Sequence, residues 1–201
     1  MRSAPQAVRE RLAAGETLIG TFLNLGSPVA AEVCGLGGLD WALLDFEHGT
    51  VHEADLLSHV LAAEAGGVPL FVRVETAARP RIGRALDIGA AGIMVPRIDT
   101  VEQARAAISH MQYGPHGDRG VATYNRACGF GTRVEAIAEA RDRTTGIIQI
   151  ESTAAVAASR EIAALEGVDV LFVGPGDLTH ALGSFGKVED PEFLRSCREV
   201  V

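Results

Sequence analysis

Lysine is almost absent from this chain. Seventeen arginines accompany a single lysine, Lys187. A lysine that forms a Schiff base must be desolvated on a rigid element so that its pKa falls. Lys187 follows Gly183-Ser184-Phe185-Gly186, a stretch expected to be a solvated loop. Carbonyl chemistry, if it is present, is therefore expected to use a metal rather than a covalent lysine. Cysteine is scarce too. Cys34, Cys128 and Cys197 are odd in number and lack CxxC spacing, which excludes a disulfide framework and a zinc knuckle and fits reduced thiols in the cytoplasm. Aromatic residues make up only 5%. No apolar run approaches the roughly 18 residues of a membrane span. The amino-terminal MRSAPQAVRERLAAGE has scattered charges and no apolar centre, so it does not read as a signal peptide. Positive charge is neither abundant nor clustered. The formal charge of -8 argues against nucleic acid as a partner. The densest arginine group, Arg79, Arg81 and Arg84, reads as a solvated helix face. Neither GxxxxGK[ST] nor GxGxxG occurs, so nucleotide binding has no support.

What remains is a regular alternation that suits one domain over residues 1–201. Short apolar runs at Leu18–Leu23, Trp41–Phe46, Leu70–Val74, Gly92–Val95, Gly146–Ile150 and Val170–Val173 are continuous rather than alternating, as in parallel strands covered on both faces. Helices are expected between them. One follows Ser27-Pro28, one covers His52–Ala65, one Pro80–Ile88, one Val101–Met111 behind the cap Thr100, and one begins at Ser152 or Thr153 and runs to Leu165. Residues Tyr113–Thr132 break the rhythm with five glycines and a proline, and read as a functional or interface loop.

Polar residues gather where the strands finish. Asp45-Phe46-Glu47-His48 ends the second, Arg73 lies in the third, Pro96-Arg97 ends the fourth, Gln149-Ile150-Glu151 the fifth and Gly174-Pro175-Gly176-Asp177 the sixth. Five successive polar strand ends favour a TIM (β/α)8 barrel, whose active site lies at the carboxyl ends of its strands, over an open sheet. Glu151 and Asp177 on adjacent strands suit a hard divalent cation, although Glu151 alone could simply favour the start of the next helix. His48 beside carboxylates suits a general acid or base. Arg73, charged within an apolar strand, must meet an anion or reach water. A substrate carboxylate or a developing enolate would serve. The Gly174–Asp177 segment reads as a tight turn whose amides can approach a small anion.

Taken in order, WALLDFEHG (41–49), LFVRV (70–74), LDIGAAGIMVPRIDTVEQA (86–104), YGPHGDRG (113–120), IIQIES (147–152) and GVDVLFVGPGDLTHALG (167–183) resemble the HpcH/HpaI aldolase family. The resemblance implies a metal-dependent aldolase that cleaves 4-hydroxy-2-oxo acids to pyruvate and an aldehyde. It makes Glu151 and Asp177 the ligands of Mg2+ or Mn2+, with Co2+ as a further candidate. It makes His48 the acid/base residue supported by Asp45, sets Arg73 on the 2-oxo oxygen, and places Gln149 beside metal and substrate. It assigns the substrate carboxylate to Gly174, Pro175, Gly176 and Asp177. It extends Asp87 toward a neighbouring subunit in a homo-oligomer, a trimer or hexamer. Two departures stand out. The loop lacks the second proline usual after the tyrosine. Only six strands are countable, so the family's last two strands are missing, and a fragment, a chain completed by a partner or a remnant would each give this pattern. Competing readings are a lyase of CoA thioesters, which would need a basic groove, and a noncatalytic barrel fragment.

Overall fold

The computed structural model describes residues 4–201. The first three residues of the amino-terminal stretch lie outside the described residues. The elements run α1 (Ala4–Ala13), β1 (Gly20–Leu23), α2 (Pro28–Leu36), β2 (Trp41–Asp45), α3 (Leu56–Gly66), β3 (Leu70–Arg73), α4 (Arg79–Ile88), β4 (Gly92–Val95), α5 (Val101–Met111), α6 (Ala136–Arg143), β5 (Thr145–Ile150), α7 (Thr153–Ala163), β6 (Val170–Val173), α8 (Pro175–Ala181) and α9 (Pro191–Val200). The strands form one parallel sheet in the order β1-β2-β3-β4-β5-β6. This is the expected alternation, carried as a curled half-barrel.

The curl follows from which side chains face inward. Leu43, Phe71, Met94 and Ile147 are buried on the concave side, and Phe22 and Phe172 pack against them. The rings of Phe22 on β1 and Phe172 on β6 lie 5.7 Å apart, so the first and last strands touch through side chains while sharing no ladder. Val8 and Leu12 of α1 close the floor. Arg9 of α1 pairs with Asp169, just before β6, at 3.0 Å. On the convex side Leu44, Val72, Ile93, Val95, Ile148 and Ile150 pack beneath the helices. The strands therefore read as continuous apolar runs because one face meets the interior and the other meets helices. β2 to β5 are almost wholly buried, whereas β6 is half-buried throughout.

Helix ends follow their caps. Thr100 accepts the amide of Gln103 and Ser152 that of Ala155, each satisfying an otherwise orphaned N–H. α2 and α3 approach closely because Gly35 and Gly66 face each other; a Cβ on either would run into the opposite backbone. β1 starts at Gly20, two residues later than the hydrophobic run suggests. The amide of Ile19 is taken by the Asp40 carboxylate at 2.8 Å, and the Ile19 side chain is exposed. α1 and α6 are not among the helices expected from the sequence. The 113–132 segment stays largely irregular, with a short 3-10 turn over Arg126–Gly131.

Candidate active site

Parallel register brings the site together. β2 and β3 pair so that Asp45 lies beside Arg73, both at the carboxyl ends of their strands and facing inward. The Asp45 carboxylate accepts Arg73 Nε at 2.8 Å and Nη2 at 2.6 Å, a two-pronged pair that is almost fully buried. Burial alone pushes the Asp45 carboxyl up. The Arg73 bonds and charge, with the amides of Glu47 and His48, overcome this and hold it below the usual aspartate range. Burial likewise opposes the charge on Arg73, and Asp45, Glu47 and Glu151 outweigh it, so Arg73 stays raised and charged. Phe22 lies beneath the guanidinium at 5.1 Å.

The anion that Arg73 meets is thus supplied by the protein. Asp45 also differs from its expected role. It supports His48 through the main chain, accepting the His48 amide at 3.3 Å, and its side chain serves Arg73. The His48 imidazole is exposed, and the acid near it is Glu47, with Nε2 to Oε2 at 3.8 Å. Glu47 was grouped with its neighbours in the sequence but given no task. Its Oε2 is buried, makes an ion pair with Arg73 Nη1 at 3.2 Å, and has no hydrogen bond of good geometry.

Gln149 joins the two halves of the site. Its Oε1 accepts Arg73 Nη1 at 3.3 Å, and its Nε2 donates to Glu151 Oε2. Glu151, at the end of β5, also accepts the backbone amide of Arg97 on Oε1 at 2.7 Å. Despite these bonds its carboxyl is held above the usual glutamate range, first by burial and then by the negative charges of Asp177 and Glu47. Arg97 holds its position at a φ of 58°, a left-handed conformation that costs a non-glycine residue ~1–2 kcal/mol.

The Gly174–Asp177 segment is the opening of α8 rather than a free turn. Gly174 is the N-cap and Pro175 the first helical residue, where the missing N–H costs nothing. The Gly174 amide is committed to the Ile150 carbonyl at 2.9 Å, and Pro175 has no amide. Only the Gly176 and Asp177 amides of that first turn are left for an anion, a correction to the four-residue cradle expected from sequence. Gly174 is required for another reason: a Cβ there would stand 2.9 Å from Gln149 Nε2 and 3.0 Å from the Glu151 Cβ.

Glu47, His48, Arg97, Asp99, Glu151 and Asp177 line one pocket of about 280 Å³ with Ser152, His180 and Ala181. Arg97 and His180 are members that sequence reasoning missed. Arg97 is visible in the sequence only as the last residue of a strand end, and nothing in the sequence gives His180 a task. Asp87 lies elsewhere. It sits near the end of α4, toward the amino-terminal edge of β4, and accepts Arg119 Nη2 of the same chain at 2.6 Å. Lys187 is exposed, as its loop context implies.

A curled parallel sheet carries a buried arginine–aspartate pair, two acids and a histidine at its carboxyl-terminal rim, which is where enzymes of the α/β-barrel class carry their active sites. The chain belongs to the HpcH/HpaI aldolase/citrate lyase family, whose profile matches residues 18–201. It is 38% identical over 196 residues to a 5-keto-4-deoxy-D-glucarate aldolase of Klebsiella pneumoniae, covering 98% of this chain and 77% of that protein. It is 41% identical over 175 residues to a 2-dehydro-3,6-dideoxy-6-sulfogluconate aldolase of Pseudomonas putida, covering 87% and 69%. A crystal structure of a HpcH/HpaI aldolase/citrate lyase family protein from Burkholderia cenocepacia superposes with a TM-score of 0.91 at 35% identity, covering 97% of this chain and 79% of the other. The named relatives are aldolases, and the family that holds this chain comprises aldolases and citrate lyases. Among the described residues no helix is long and apolar enough to cross a membrane.

Proposed function

We propose that this chain is a divalent-metal-dependent class II aldolase that reversibly cleaves 4-hydroxy-2-oxo acids to pyruvate and an aldehyde. The observation that carries this reading is the acid excess around Glu151. A buried carboxyl shares one pocket with Asp177, Glu47 and His48, next to the Arg73–Asp45 pair, and is pushed up first by its burial and then by the charges of Asp177 and Glu47. Hard oxygen donors of this kind fit Mg2+ or Mn2+, with Co2+ as a further candidate. Among the described residues no group of three or more His, Cys, Asp or Glu is gathered as a metal site. Glu151 and Asp177 would supply two oxygen ligands to such an ion. Bound there by Glu151 and Asp177, a divalent ion supplies Lewis acidity toward the 2-oxo group.

The chain's own residues do the rest. Arg73 commits three of its five N–H groups to Asp45 and Gln149 and lies against Glu47, which fixes its plane and leaves donors for the 2-oxo oxygen, where negative charge develops on cleavage. His48, on the open side, takes the proton of the 4-hydroxyl and returns it in the reverse direction. The Gly176 and Asp177 amides receive the substrate carboxylate. Gln149 holds Glu151 and Arg73 at a fixed separation. The relatives' named substrates, a glucarate and a sulfogluconate, each carry an acid at both ends of the carbon chain. That supports a 2-oxo acid with a second anionic group as the substrate class here.

The test is a cleavage assay on 4-hydroxy-2-oxo acids, with pyruvate release followed with Mg2+, with Mn2+ and with chelator. Release that depends on the ion supports the reading. Turnover of malyl-CoA-type thioesters in its place moves the chain to the citrate lyase side of the family, and ion-independent release overturns it.

A further inference from the structure

The site reading accounts for Glu151, Asp177, His48, Arg73, Asp45 and Gln149, and leaves the arginine of the pocket without a task. Arg97 lines the same pocket as Glu151, Asp177 and His48. Its residue is exposed, and none of the ion pairs or side-chain hydrogen bonds among the described residues involves its guanidinium. Other arginines on this side of the sheet are spent: Arg73 on Asp45, and Arg81 on Glu53 and Glu75. The acids near Arg97 have other partners as well. Asp99 accepts the Ser152 hydroxyl at 2.5 Å, and Glu151 accepts the Arg97 amide and Gln149.

Its backbone makes the placement informative. Arg97 follows the buried Pro96 and holds a φ of 58°, so that its N–H reaches Glu151 Oε1 at 2.7 Å. Glycine or asparagine would meet that requirement at less cost. Strain of this kind persists where the surroundings over-determine it, and it points from an outlier to a task. The main chain anchors Arg97 to the acid that faces the reacting end of the substrate, and the side chain remains on the pocket wall as a planar cation with five donors.

The geometry points to Arg97 as the specificity-determining residue that takes an anionic group, a carboxylate or sulfonate, on the aldehyde half of the substrate. This rests on the proposed aldolase reading and names the residue that selects within it. The pyruvate half is covered by Arg73, the Gly176 and Asp177 amides and the Glu151–Asp177 pair, so a second acid on the far carbons needs a separate counter-charge. His180 and His48 share the pocket but carry a fixed charge only when protonated.

The experiment compares two 2-oxo acids of equal length, 2-oxoglutarate and 2-oxopentanoate, by calorimetric binding in the presence of Mg2+. They share the pyruvyl head and differ only in a terminal carboxylate. The wild type prefers 2-oxoglutarate by about 10- to 100-fold, the worth of a charge-assisted hydrogen bond. In Arg97→Asn, which tolerates the left-handed backbone and keeps the amide to Glu151, the preference collapses toward unity. Arg97→Lys retains part of it. A preference unchanged in Arg97→Asn overturns the proposal. So does an equal loss of affinity for both ligands, which would assign Arg97 a purely positioning role at Glu151. Absence of binding by both ligands to the wild type removes the aldolase reading itself. Binding of both without discrimination removes only the role of Arg97.

Discussion

The two acids at the centre of the site, Asp45 and Glu151, stand on strands of one sheet, are both buried, and have opposite electrostatic settings. Asp45 is matched. Arg73 grips it with two donors, and two backbone amides complete the set, so its carboxyl is held down. Glu151 has one backbone amide and Gln149, and faces Asp177 and Glu47, so its carboxyl is held up. The difference separates structure from chemistry. A neutralised pair fixes the position of a permanent cation. An unneutralised pair has affinity for a positive charge from outside the chain, which is what a metal-binding carboxylate requires.

The comparison can be broken most directly on the acid side. Glu151→Ala and Asp177→Ala each lower ion-dependent cleavage by about 10^3-fold or more, the worth of several kcal/mol of charge stabilisation. Glu151→Gln does the same to turnover while leaving thermal unfolding unchanged or raising its midpoint, because it removes a like-charge repulsion. A Glu151→Gln protein that unfolds well below the wild type would show that Glu151 is structurally matched after all.

The next largest effect belongs to the matched pair. Arg73→Met leaves Asp45 buried without its partner and costs about 3–5 kcal/mol in urea unfolding. Asp45→Asn costs stability as well and misplaces Arg73, so turnover falls with it. Retention of wild-type stability in Arg73→Met would dissolve the distinction between the two acids.

Acidity sharpens the contrast. The Asp45 carboxyl is lowered in the folded state, so its contribution to stability is present above the ordinary aspartate range and is lost as pH falls through its depressed value. The Glu151 carboxyl is raised, so its contribution is present below the ordinary glutamate range and is lost as pH rises through its elevated value. The stability gap between Glu151→Gln and wild type, measured by urea unfolding, therefore narrows on acidification from neutrality. Mg2+ affinity falls over the same interval, since the ion must displace a proton. A gap that widens on acidification would contradict the assignment.

The smallest effect is expected at Lys187. Lys187→Ala changes turnover by less than about twofold, and borohydride in the presence of substrate traps no adduct on the chain, in keeping with a solvated ammonium. A trapped adduct would replace the metal route with a covalent one.

Much of this was legible in the sequence. The six apolar runs gave the six strands, and Gly92–Val95 and Val170–Val173 kept their limits. Thr100 and Ser152 were readable as caps because a hydroxyl there has one local task. Strand-end position alone gathered Asp45, His48, Arg73, Glu151 and Asp177 onto one rim. What escaped depends on tertiary partners. α1 and α6 hold their places through Val8, Arg9 and Ala136. The partition of Arg73 among Asp45, Glu47 and Gln149 is set by strand register. The task of Arg97 is set by a backbone angle that no residue pattern announces, and the Gly174–Asp177 segment hides a helix start behind a glycine–proline signature.

Asp45 and Arg73 become neighbours only because two separate strands align residue for residue. A slide of a single position would turn one of them outward and leave a lone charge in an oily interior, at several kcal/mol. The reactive centre therefore doubles as a check on assembly: a mis-threaded sheet is both unstable and inert, so surviving molecules are those whose chemistry is already aligned.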